Sequence, residues 1–100
     1  RGRRMSLQIF ATGVNITTGA ASAGATIPMS SAGAVPRYIR ITASANACVR
    51  IGTGAQTAVA TDMVVQPGEA VFMSTNRCTH IAAIQQAAAG TVQVSPVEDI

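Results

Sequence analysis

The decapeptide VVQPGEAVFM, residues 64–73, sets two apolar runs on either side of a Pro-Gly pair. Proline presets φ for the first central position of a type II turn, and glycine supplies the positive φ that the second requires. The stretch reads as strand, tight turn, strand, with DMVVQ and EAVFMS paired as a hairpin around Pro67-Gly68. Alternation then puts Phe72 on one face and Val71 and Met73 on the other. One of those faces belongs to a core. The stretch holds no nucleophile, metal ligand or phosphate cradle, so its chemistry lies in its surface.

Working outward, the same period of two recurs. In RYIRITAS, residues 37–44, Ile39, Ile41 and Ala43 share one face, and Tyr38, Arg40 and Thr42 share the other. NACVRIG, 46–52, sets Val49 and Ile51 against Cys48 and Arg50, and the short SAN link, 44–46, suits a second hairpin. TGAQTAVAT, 53–61, is a long loop and STNRC, 74–78, a turn. GTVQVSP, 90–96, points Val92 and Val94 inward and Thr91, Gln93 and Ser95 outward. CTHIAAIQQAAAG, 78–90, has a helical alternative, with Ile81 and Ile84 at i, i+3 and a closing Gly. The short strands on both sides favour a strand over 79–86. Toward the N-terminus, MSLQIFAT and VNITT alternate, and 19–35 is a Gly/Ala/Ser loop with one short strand near 25–27, ended by Pro28.

The tally is seven or eight short strands with Gly/Pro turns, which predicts an all-β fold: an antiparallel β-sandwich or jelly roll. One hundred residues make one such domain. Its expected bounds are 7–97, with a basic N-terminal arm over 1–6 and a C-terminal tail over 98–100. The basic start and ASA triplet suggest a secretory leader, but Gln8, Thr12 and Asn15 interrupt any apolar h-region. There is no apolar run long enough for a membrane span.

Hydrophobic residues make up 48% of the chain, aromatics 3% and charged residues 11%. Alanine supplies much of the apolar fraction, and a buried methyl removes little area from water. Such a domain gains by association with copies of itself or with a larger assembly. The charged fraction is less than half the usual one of about 25%. All the basic residues are arginine, and three of them, Arg1, Arg3 and Arg4, lie in the arm. A nearly uncharged body with a basic arm is not a basic nucleic-acid-binding face.

Catalytic and metal chemistry find few residues. His80 is the sole histidine and sits two positions after Cys78; on one strand the pair would be about 7 Å apart, too far for direct proton transfer. One histidine cannot supply a cupin-type metal site. GTGAQT, 52–57, lacks the third glycine and the helix of a dinucleotide fingerprint. No cofactor or metal is expected, and Cys48 and Cys78 are read as free thiols. The candidate contact residues are Arg1, Arg3 and Arg4 of the arm, with Arg40 and Arg50 projecting outward from strands read as adjacent.

Residues 38–97 carry an ordered series of motifs: a strand and short turn, VRIG and a small-residue loop, MVVQPGE, an aromatic-bearing strand, then HIAAIQ and GTVQV. The series resembles small structural proteins encoded among the virion genes of tailed bacteriophages. The resemblance implies a jelly-roll-like sandwich that decorates or cements the capsid, as a trimer, with no catalytic residues. The implied partners are the major capsid protein, neighbouring virion proteins and further copies of the chain, with no membrane and no specific nucleic acid. The implied location is the capsid surface, after synthesis in the host cytoplasm. Other readings are a head–tail connector or tail module, a carbohydrate-binding sandwich, and an enzyme built on Cys78 and His80.

Overall fold

The computed structural model describes the backbone of residues 7–8 and 12–99 and the side chains of 12–97. It is all-β, and every strand pair is antiparallel. Eight strands make the sandwich: β2 (Val14–Thr17), β3 (Ala23–Thr26), β4 (Tyr38–Ala43), β5 (Ala47–Gly52), β6 (Met63–Val65), β7 (Val71–Ser74), β8 (His80–Gln85) and β9 (Thr91–Asp99). A two-residue strand, β1 (Leu7–Gln8), pairs with the far end of β9. One sheet runs β2-β9-β4-β7, and the other runs β3-β8-β5-β6.

In this order almost every connection leaves one sheet and enters the other. Only β5 and β6 are both consecutive and paired within a sheet of the sandwich. That is the jelly-roll arrangement, and it corrects two local readings. VVQPGEAVFM is not a hairpin, because β6 pairs with β5 while β7 pairs with β4. The turn itself forms as expected: the Glu69 N–H donates to the Gln66 carbonyl at 3.3 Å, and Gly68 has φ +85°. The physical reason lies in the turn type. A type II turn splays the strands it joins, whereas hairpins prefer the mirror-image turns that match strand twist. Pro67-Gly68 therefore makes a corner between sheets. The SAN link is likewise a corner, since β4 lies between β9 and β7, and β5 lies between β8 and β6.

Period-two alternation was a sound guide to which side chains face inward. Ile39, Ile41, Val92 and Val94 from one sheet meet Ala47, Val49, Val65, Ile81 and Ala83 from the other. Ile16 and Ile27 complete the cluster, and Val71 and Met73 pack against it. Most of the buried residues described are aliphatic, dominated by β-branched side chains that suit a pleated surface, with Cys48, Thr18, Thr75 and Ser95 beside them. The predicted strand over 79–86 forms as β8, His80–Gln85, and not as a helix; Ile81, Ala82 and Ala83 are all fully buried within it. That strand is covered on both faces. Several boundaries differ from expectation, with β6 and β7 shorter than the runs DMVVQ and EAVFMS. β3 starts two residues before the predicted strand, and β9 continues through 98 and 99, which were read as tail.

The corner at Gly68 yields a direct test. An L-residue there must adopt a left-handed conformation, at a cost of about 1–2 kcal/mol. Gly68→Ala is expected to lower the unfolding free energy by that amount in urea titrations. Gly19→Ala, at an open position without positive φ, should change it little.

Candidate functional site

The two outer faces of the sandwich differ. On the β3-β8-β5-β6 sheet, the segment 53–62 folds back as a strap across the outward side chains. Its anchors are specific. The Ala58 N–H donates to Ser22 Oγ at 2.8 Å, and the Cys48 thiol lies 3.5 Å from the Ala60 carbonyl. Gln56 rests against Gly52, whose missing Cβ leaves the room, and its Nε2 donates to the Gly54 carbonyl at 3.2 Å. Cys48 and Ala82, outward by register, are fully buried for this reason. Both cysteines are free thiols, with Cys78 half-buried against the core.

Arg50 of β5 is tied to this strap. Its Nε and Nη2 donate to Asp62 Oδ1 at 3.2 and 3.0 Å. Asp62 Oδ2 also accepts the Val59 N–H at 2.8 Å. That backbone N–H and the Arg50 guanidinium hold the Asp62 carboxyl below its ordinary pKa. Arg50 is thus engaged within the chain. Nor does it neighbour Arg40, as the sequence suggested: the two arginines sit on different sheets.

On the outer face of the other sheet Asn15, Thr17, Thr91 and Gln93 are exposed and β7 forms one edge; Ser95, read as pointing outward, shares this face with its register partner Arg40 but is buried. Arg40 and Phe72 are register partners on β4 and β7. The Arg40 guanidinium lies 6.0 Å from the Phe72 ring centroid, at the outer range of a cation–π contact. Phe72 is 53% exposed, the most exposed of the large hydrophobic side chains described. The uncertainty over which face of VVQPGEAVFM points inward is thereby settled: Val71 and Met73 do.

At the end of β4 and β7 this face meets a cleft of about 470 Å³, walled by 35–38 and 74–77. Thr75 is the peg that joins the walls. It is fully buried, its Oγ1 donates to the Pro36 carbonyl at 2.6 Å, and its N–H donates to the Arg37 carbonyl at 2.9 Å. Arg37 and Arg77 are exposed, and their guanidinium groups make no hydrogen bond or ion pair with any described residue. Asn76 and Arg77 have φ +47° and +67°, closed by a Cys78 N–H bond to the Thr75 carbonyl. Both central residues are left-handed, as in a type I′ turn, where the second position is most at ease as glycine. An arginine there costs about 1 kcal/mol of backbone strain. Sequence reading marked STNRC as a turn but gave no role to Arg37, Tyr38 or Arg77. An arginine where such a turn favours glycine was the available signal.

The remaining candidates are placed as follows. His80 borders a smaller cleft of about 340 Å³ with Gln56 and Thr26. Its Nδ1 is 2.7 Å from Thr79 Oγ1, which accepts the Gly54 N–H at 3.2 Å and so has its proton available for the ring. Among the described residues, no group of three or more His, Cys, Asp or Glu side chains could hold a metal ion. Among the described residues, no helix is long and apolar enough to cross a membrane. Arg1, Arg3 and Arg4 lie outside the described residues. Comparison with family models, curated proteins and solved structures gave no match.

The strap makes stability depend on pH with a definite sign. Because the folded pKa of Asp62 is depressed, its contribution is complete above the ordinary aspartate value of about 4 and is lost as pH falls through the lowered value. Thermal midpoints should drop on acidification below that point. Asp62→Asn should lower the midpoint at neutral pH and flatten this acid limb.

Proposed function

We propose that the protein is a non-enzymatic structural component of a tailed-bacteriophage virion. It binds and stabilises the capsid lattice as a small oligomer, a trimer, at the capsid surface, after synthesis in the host cytoplasm. Its partners are the major capsid protein or neighbouring virion proteins and further copies of itself. The resemblance of residues 38–97 to small virion proteins supports this reading.

The observation that carries it is the asymmetry of the sandwich. One outer face is partly covered by the strap, which buries Cys48 and Ala82, while the other presents Arg40 against Phe72 beside a cleft holding Arg37, Tyr38 and Arg77. Arginine and aromatic side chains grouped on an otherwise uncharged surface are the composition of interface centres. A chain with few charges and a thin aliphatic core also gains stability from association.

Light scattering is expected to find an oligomer at working concentrations, and the protein should co-sediment with capsids that lack it. Phe72→Ala should weaken capsid binding by about 1–2 kcal/mol, as loss of an interface anchor does. Since Phe72 is half exposed, the thermal midpoint should hold. A monomer that ignores capsids would end this reading.

A further inference from the structure

Among the described residues, three charged side chains find no partner: Arg37, Arg77 and Glu69. The two arginines belong to the walls of the cleft past the C-terminal end of β7. Glu69 lies at the opposite end, on the exposed turn 66–70 that precedes β7. The ends of β7 alone are roughly 10 Å apart at about 3.3 Å per residue. Glu69 therefore does not reach the cleft of its own chain.

We propose that the turn at Pro67-Gly68 of a second copy enters this cleft and sets its Glu69 carboxylate between Arg37 and Arg77. The inference rests on the oligomer in the functional reading and names the contact that builds it. The turn is narrow, and every residue from Gln66 to Ala70 is exposed. The cleft offers two guanidinia whose fork geometry suits a carboxylate. Asp62 is engaged with Arg50 and is no rival. The register that pairs Tyr38 with Val97 carries the β9 backbone at 98 toward Arg37, whereas β4 separates β9 from β7 and leaves Arg77 on the far side, so Arg77 is the principal receptor for Glu69.

The contact also accounts for the strained turn. Glycine at position 77 would relieve the backbone, yet the chain holds an arginine there at φ +67°. A side chain that the turn disfavours has its use in the contact. Because donor and receptor sit at opposite ends of one edge strand, the contact is head-to-tail. Repeated by a rotation that closes, it makes a ring, and a three-membered ring is the trimer of the functional reading.

Sedimentation velocity over a concentration series tests this, using the full chain and variants whose folding is checked by thermal midpoint. E69R and R77E should each weaken self-association at least about tenfold, since they place like charges opposite one another. R37E is a second reversal within the cleft. The charge-swapped E69R/R77E should recover to within about threefold of the native chain, as a coupled pair does. R77G should raise the thermal midpoint and weaken association, two opposite shifts that a purely structural Arg77 would not produce. Single reversals that assemble like the native chain would overturn the proposal, as would a double variant no better than its parents. A native chain that stays monomeric overturns both this contact and the oligomer; capsid co-sedimentation, run in parallel, then decides the virion reading separately.

Discussion

The contact between two aliphatic sheet faces is the interaction on which the rest of this molecule depends. Ile39, Ile41, Val92 and Val94 cannot be covered by their own sheet, and Val49, Val65 and Ile81 face the same problem from the other side. Fully burying each such side chain contributes about 1.5–3 kcal/mol. The gain arises only when the two faces meet. Strands consecutive in sequence therefore pass from sheet to sheet, and corners, not hairpins, carry most of the connections. Gly68 at φ +85° and the left-handed Asn76-Arg77 pair are two of those corners. The Arg77 cleft exists because one of them lies against the start of β4, pegged there by Thr75.

The inward set was legible in the sequence because alternation reports directly which side chains share a face. Which strand lies beside which was not. Residues 38–43 and 47–52 alternate equally well as neighbours in one sheet or as opposite walls of a sandwich, and only the second is formed. Turn chemistry held the missing information at Pro67-Gly68, since a type II pair suits a corner better than a hairpin. The strap was hidden for a different reason. Residues 53–61 have the composition of a plain loop, and its docking surface is made of Gly24, Gly52, Cys48 and Ala82, side chains too small to announce a contact. Arg40 was visible as an outward arginine on a strong strand. Arg50 looked identical until the strap supplied Asp62 as its partner.

These features give the two faces different tasks. The strap covers the middle of one sheet over Cys48 and Ala82 and pairs Arg50 with Asp62. The other sheet keeps its exposed Thr, Asn and Gln rows, with Phe72 and three arginines gathered along β4 and β7 and their shared end. A surface of this kind serves recognition through shape and a few anchors more than through net charge.

Amide hydrogen exchange, compared between the dilute free protein and the capsid-bound form, addresses the central claim most directly. The one-sided account predicts added protection over residues 37–42 and 66–77, with exchange in the strap at 53–62 unchanged. Protection centred on the strap, or none on the β4–β7 side, would contradict it.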